Sequence, residues 1–325
     1  MTIKAAKLLN GTEMPFIGIG TGGKAADDST TREMLRKAFD AGYRHIDTAA
    51  IYGTEHVVGE VLEEYIQSGR LKREDVYITT KLAQCNHKPE FVRPALKCSL
   101  KRLRTDYVDM YLIHNPVTYQ NQGTLEQFIP DLPNYKFDVE HDIAETWHEL
   151  EQLYKDGLVK GIGLSNFNAK QVEYIVEKAK EIKPMNDQVE LHIHFPQKEL
   201  RHTCKKHGIV VTAFAPIGCP GKKSDPKYNW PSDGPIDDPV TVKLAEKHKK
   251  TPAQILLRHL IQHAIVVIPK STNPVRIQQN IEIFDFELSL EEMDELDAID
   301  SRPRLYPMKI NLGHPDYPFD DVTSQ

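Results

Sequence analysis

Short apolar runs that do not alternate with polar residues recur along this chain, and segments of helical periodicity separate them. The runs are Phe16–Gly20, Arg44–Asp47, Val76–Lys81, Tyr107–His114, Val159–Leu164, Met185–Leu191, Ile209–Ala213 and Ile265–Pro269. Between them lie Thr31–Ala41, Glu55–Ser68, Glu90–Leu103, Ile143–Lys155, Lys170–Glu181, Lys198–His207, and the pair Val240–His248 and Pro252–Gln262. A strand covered on both faces loses its polar alternation, and a strand followed by a helix pairs in parallel with the next strand. About eight such units over 325 residues predict an α/β fold, a (β/α)8 TIM barrel, as a single domain over 1–325. Ahead of it, Lys7–Pro15 reads as an N-terminal β-hairpin with Asn10-Gly11 as its two-residue turn. Two polar stretches, Asn115 to about His141 and Pro216 to about Asp238, read as long loops at the C-terminal rim.

The competing architecture is an open doubly wound sheet, which would carry a dinucleotide fingerprint after its first strand. Gly18-Ile19-Gly20-Thr21-Gly22-Gly23 has the spacing. The fingerprint also needs its third glycine to open a helix and an acidic ribose ligand further on. Here Lys24 to Ser29 reads as loop, and no such acid stands out, so the barrel is preferred.

In a parallel barrel the C-terminal ends of the strands share one rim, and three of these ends are polar. They are Asp47 in His45-Ile46-Asp47, Lys81 after Val76–Thr80, and His114 after Val108–Ile113; Tyr52 follows Asp47 by five residues. A phenol beside them could act as an acid, but with an ordinary pKa of about 10 it gives up its proton reluctantly near neutrality. An ammonium nearby favours the phenolate, typically by about 1–3 pKa units. On this reading Lys81 activates Tyr52, Asp47 keeps the ammonium charged and placed, and His114 offers a hydrogen bond beside the phenol. The plainer alternative is an Asp47–Lys81 structural ion pair, a satisfied barrel histidine and a rim aromatic.

Composition removes several function classes. With 41 Lys and Arg against 47 Asp and Glu, the net charge is −6, which disfavours nucleic acid and anionic membrane as partners. No stretch approaches the roughly 20 apolar residues of a membrane span, and Met1–Ala6 lacks a signal peptide's apolar core, so a cytoplasmic protein is expected. Cys85, Cys98, Cys204 and Cys219 are too widely spaced for a zinc ribbon or a disulfide framework. Glu190-Leu191-His192-Ile193-His194 puts two histidines on one side of a strand end, as a metal-dependent barrel hydrolase would. A catalytic zinc wants a third ligand, no other signal supplies it, and no metal is expected.

The motifs Gly42–Ala49, Tyr52-Gly53, Thr80-Lys81-Leu82, Leu112-Ile113-His114, Gly161–Phe167, Gln188-Val189-Glu190 and Ile268–Ser271 occur in an order that resembles the aldo-keto reductase superfamily. The closing Asp316-Tyr317-Pro318-Phe319 resembles the tail of animal aldose and aldehyde reductases. The resemblance implies NADPH-dependent reduction of a small-molecule carbonyl by a monomer, with Asp47, Tyr52, Lys81 and His114 as catalytic tetrad. It implies that Ser165, Asn166 and Gln188 bind the nicotinamide carboxamide and that Phe214, where relatives have Tyr, stacks on the ring. Thr21 and Asp47 are further expected cofactor contacts. Lys270, Ser271 and Arg276, with a helix start at Asn273-Pro274, suit a 2′-phosphate, and Gln279, where relatives have Glu, and Asn280 lie near the adenine. Gly218–Lys223 resembles the loop that closes over the pyrophosphate, but Gly221 replaces its acidic latch. Relatives commonly place Trp where this chain has Gly22 and Asn115, so a wider, more polar substrate pocket is expected, partly refilled by Tyr306 and Met308. A non-catalytic cofactor-binding subunit on the same scaffold, like the potassium-channel β subunits, is the alternative that the tetrad residues alone leave open.

Overall fold

The computed structural model describes residues 5–23, 27–125, 135–222 and 233–322. Strands β1 (Ala5–Lys7) and β2 (Glu13–Pro15) form an antiparallel hairpin. Its loop is longer than a two-residue turn: Lys7 pairs with Glu13, Leu8 N–H donates to Thr12 O, and Gly11 takes φ 84. Gly11 is thus the left-handed residue that closes a three-residue connection, a position a Cβ would strain.

Eight parallel strands follow: β3 (Ile19–Gly20), β4 (His45–Asp47), β5 (Tyr77–Leu82), β6 (Met110–Ile113), β7 (Ile162–Ser165), β8 (Asn186–Glu190), β9 (Val210–Phe214) and β10 (Val266–Val267). They hydrogen-bond in sequence order, and Ile17 bridges Val267 in parallel, so the sheet closes. The closing bonds run from Gly18 N–H to Val267 O (2.9 Å) and from Val267 N–H to Phe16 O (2.8 Å). The result is the (β/α)8 barrel, with the hairpin side chains Ala6, Leu8 and Met14 packed against Tyr77, Met110 and Val266, the first residues of three barrel strands. That end is plugged, which leaves the opposite rim for chemistry.

The helices are α1 (Asp28–Ala41), α2 (Glu55–Gln67), α3 (Pro89–Leu103), α4 (Ile143–Lys155), α5 (Ala169–Lys178), α6 (Lys198–His207), α7 (Pro239–His248), α8 (Pro252–Gln262), α9 (Pro274–Ile281) and α10 (Leu290–Asp297). One large apolar cluster lies between helices and sheet and includes Leu35, Val61, Leu96, Trp147, Ile175 and Leu257. Helix α1 starts at Asp28, three residues before the expected Thr31, because Asp27 Oδ1 accepts from Thr30 N–H (2.7 Å) and caps it. Ser29 is therefore helical rather than loop, whereas residues 24–26 lie outside the described residues. Helix α10 carries no expectation from periodicity, yet Ser289 and Glu292 form a reciprocal capping box at its start. Most strands are shorter than their runs, although run residues beyond the strands still bond within the barrel, as Asp109 N–H does to Ile78 O (3.0 Å) and Met185 N–H to Ile162 O (3.0 Å). Parts of both expected rim loops, 126–134 and 223–232, lie outside the described residues, and with them Lys223.

Candidate active site

Register brings the first two rim residues together. Asp47 pairs with Thr79 on the neighbouring strand, so Lys81, two residues further, extends from the same face of β5. Its Nζ donates to Asp47 Oδ1 (2.7 Å), Asp47 Oδ2 (2.9 Å) and Thr48 O (2.8 Å). Lys81 is wholly buried and Asp47 is 2% exposed. A buried ammonium with three acceptors is a satisfied charge, and its unpaired counterpart would cost several kcal/mol. A single 3-10 turn, Ala50–Tyr52, then reverses the chain and ends at Gly53, whose φ of 70 accepts no Cβ easily. This turn swings Tyr52 back over the rim. Its hydroxyl lies 3.4 Å from His114 Nε2, its ring meets the imidazole edge to face, and Lys81 Nζ stands 4.9 Å from its centroid.

Electrostatics of the four groups follow from burial and from one another. Burial raises the Tyr52 phenol above its ordinary value; Lys81, by charge and hydrogen bond, offsets part of the rise. The activating effect expected of Lys81 is therefore present but outweighed, and the phenol is neutral across the physiological range. Burial opposes the Lys81 ammonium as well, yet Asp47 and Tyr52 bring its pKa above the ordinary value. Burial first, and then the charge of Lys81, holds His114 well below the ordinary histidine value, so the ring is neutral. Its buried Nδ1 has no partner. An unmet acceptor costs less than an unmet N–H, which favours the proton on Nε2, the nitrogen that faces Tyr52.

The residues expected at the cofactor surround this group. Thr21 N–H donates to Asp47 O (2.9 Å), which places Thr21 on the same rim. Gln188 Nε2 donates to Asp47 Oδ2 (2.7 Å), Ser165 Oγ to Gln188 O (2.9 Å), and Asn166 Nδ2 to His114 O (2.8 Å). Asn166 holds a left-handed φ of 64. One polar group of each amide is thus committed to the barrel, which fixes the orientation of the other. Phe214 ends β9 half-buried, with the Tyr306 ring edge-on at 5.5 Å. Ser271 and Arg276 flank the start of α9, and Arg276 is exposed. The amides of Val275 and Arg276 are already taken by Asn273 Oδ1 (2.9 and 3.2 Å). An anion here would be held by side chains, including Lys270, more than by the helix amides. On α9, Gln279 is half-buried and Asn280 buried.

Two of the four expected pocket residues, Gly22 and Asn115, differ from expectation. A Cβ on Gly22 would stand 2.9 Å from Cε2 and Cζ of Tyr52, so the Tyr52 ring packs against Gly22 and leaves no open pocket there. Asn115 is 2% exposed and committed: its Oδ1 accepts from Val117 N–H (3.0 Å) and Asn311 Nδ2 (3.4 Å), and its Nδ2 faces Met308 Sδ (3.2 Å). It does not present the open donor and acceptors expected beside the reacting carbon. Met308 and Tyr306 do come to this rim, Tyr306 with its hydroxyl 2.8 Å from Cys219 Sγ. The two histidines of the H-x-H motif part company: His192 Nε2 lies 3.1 Å from Glu190 and His194 Nε2 3.0 Å from Asp238.

Comparison with known proteins decides the family. The model of the Aldo/keto reductase family matches residues 16–301. The chain belongs to the aldo/keto reductase family. It is 42% identical over 322 residues to Aldo-keto reductase family 1 member C1 of Homo sapiens, covering 98% of each chain. It is 40% identical over 326 residues to Aldo-keto reductase family 1 member A1 of Gallus gallus, covering 97% of each. The aldose reductase structure from Schistosoma japonicum superposes with a TM-score of 0.88 at 40% identity, over 99% of this chain and all of that one. As a member, the protein is an oxidoreductase of carbonyl chemistry. None of its helices, among the described residues, is long and apolar enough to cross a membrane.

Two residues of this aldo/keto reductase gain roles that sequence reasoning did not assign. Thr54 Oγ1 lies 3.0 Å from Thr21 Oγ1 and 3.2 Å from Thr48 Oγ1, tying the loops after β3 and β4. Glu190, buried at the end of β8, accepts from Leu305 N–H (2.6 Å) and Tyr306 N–H (2.8 Å) and so anchors the C-terminal segment to the rim. An acid closing a barrel strand was the available signal for Glu190. Nothing in sequence announces its partners, more than a hundred residues on.

Proposed function

We propose that this protein reduces aldehydes and ketones to alcohols with NADPH, and that Tyr52 donates the proton. The observation that carries the reading is the junction at Lys81. Its ammonium is held by Asp47 at 2.7 and 2.9 Å and acts on a Tyr52 hydroxyl that lies 3.4 Å from a neutral His114. NADPH would supply the hydride. The donor set fits it: amide and hydroxyl groups of Ser165, Asn166 and Gln188 for a carboxamide, the Phe214 face for an aromatic ring, and Lys270, Ser271 and Arg276 for a phosphate. Gln279 and Asn280 adjoin that end.

A carbonyl oxygen lodged between Tyr52 and His114 would receive two hydrogen bonds, one from the phenol and one from Nε2–H. As charge grows on that oxygen, Tyr52 passes over its proton, and the adjacent Lys81 ammonium stabilises the phenolate left behind. The raised phenol pKa keeps the acid loaded before reaction. The outside partner on this reading is a small carbonyl compound, with the chain acting as a cytoplasmic monomer. Tyr52→Phe tests it: turnover of a carbonyl panel should fall by roughly 10²–10⁴-fold while NADPH affinity holds within about twofold. A variant that retains more than about a tenth of wild-type turnover removes Tyr52 from the role. A wild-type chain that binds NADPH yet turns over no carbonyl favours the non-catalytic subunit.

A further inference from the structure

We propose that α8 and α10 form a divalent transition-metal site from His259, His263 and Asp297, on the helical layer and apart from the carbonyl cleft. His259 and His263 lie four residues apart, so both imidazoles leave the same side of α8. Asp297, the last residue of α10, reaches into the gap between them. His259 Nε2 is 2.9 Å from Asp297 Oδ1, and His263 Nε2 is 3.0 Å from Oδ1 and 2.9 Å from Oδ2. One ligand atom from each residue falls within 4.8 Å of the others, close to what two imidazoles and a carboxylate need to share one ion.

A pair of hydrogen bonds tying two helices is the plainer use of these groups. It leaves two features unexplained. Both imidazoles crowd one carboxylate, where a single histidine would make the tie. Beside them lies a cavity of about 10 Å³ walled by His192, Arg201, His259 and Asp297, and the buried Nδ1 atoms of two of these wall residues, His259 and His192, have no hydrogen-bond partner. A volume of roughly 10–15 Å³ is what one water occupies. With a metal on His259 Nε2, the ring proton moves to Nδ1, where such a water would receive it, as the outer partner a ligating histidine ordinarily has. Two imidazole donors select zinc and its late first-row neighbours over magnesium or calcium, which want all-oxygen sites. Three protein ligands leave a fourth position for water.

The test uses the tag-free full chain with Zn²⁺ and, separately, Mg²⁺ in a calorimetric titration, followed by thermal melts. Expected are one Zn²⁺ equivalent tighter than any other, no comparable Mg²⁺ binding, and a Zn²⁺-dependent rise in Tm. His263→Gln and Asp297→Asn should each weaken that equivalent by at least about tenfold and abolish the rise, while His263→Cys, which keeps a donor, should retain both. His263 is only partly buried, and circular dichroism identifies any variant that fails to fold. The proposal is overturned if wild type shows no such equivalent, if Mg²⁺ binds equally, or if either weakening variant binds Zn²⁺ as wild type does.

Discussion

Gly22→Ala tests how closely the first rim loop grips the Tyr52 phenol proposed as proton donor. The added Cβ would stand 2.9 Å from Tyr52 Cε2 and Cζ and 3.3 Å from Cδ2, where ordinary contact begins at 3.4 Å. Gly22 is not in the left-handed region, so this contact and no backbone strain is the obstacle. Relief demands that ring or loop move by 3.4 − 2.9 = 0.5 Å or more. Misplacing a reacting group by 1 Å costs about 10²-fold, so half that distance corresponds to about tenfold, or about 1.4 kcal/mol of barrier. The assay is steady-state turnover of a small aldehyde with NADPH, alongside the NADPH dissociation constant. We expect kcat to fall about tenfold with cofactor affinity unchanged, and Gly22→Trp to be worse instead of restoring a relative's pocket. Turnover of Gly22→Ala within about twofold of wild type would refute the contact as a determinant of Tyr52's position.

Two further outcomes are expected. Arg276→Met should erode a preference for NADPH over NADH chiefly through cofactor affinity; equal efficiency of the wild type with both cofactors would remove the 2′-phosphate reading. Asp187 is buried, neither carboxylate oxygen has a hydrogen-bond partner, and the Phe167 backbone N–H acts on it only weakly, so burial drives its pKa well above 3.8. In the unfolded chain it ionises near its ordinary value, so the stability of the neutral native form is fully present below about pH 4 and declines as pH rises toward the native pKa. Asp187→Asn cannot ionise; its Tm relative to wild type should climb between pH 5 and pH 8, and a flat difference would sink the account.

The barrel and its rim were legible because they rest on local rules. A run such as Val76–Lys81, which does not alternate and ends on a lysine, states both that the strand is buried and where its polar end emerges. The placement of Lys81 against Asp47 followed from parallel pairing alone. What escaped depends on distance through the fold. The net direction of the Tyr52 shift turns on desolvation, which no spacing records. Gly22 and Asn115 were read as missing side chains, but the Tyr52 ring packs against Gly22, and Met308 and Asn311, nearly two hundred residues from Asn115, engage its amide. The start of α10 was readable from Ser289 and Glu292; its use, carrying Asp297 to His259 and His263, was not.

Glu190 grips the C-terminal segment by the main-chain N–H groups of residues 305 and 306, groups that every amino acid except proline possesses. The position of this wall is therefore independent of which side chains it displays. Descendants of this chain, or designers, can exchange the side chains of Leu305 and Tyr306 as interchangeable parts without loosening that grip. Only a proline at either gripped position would break the clasp itself.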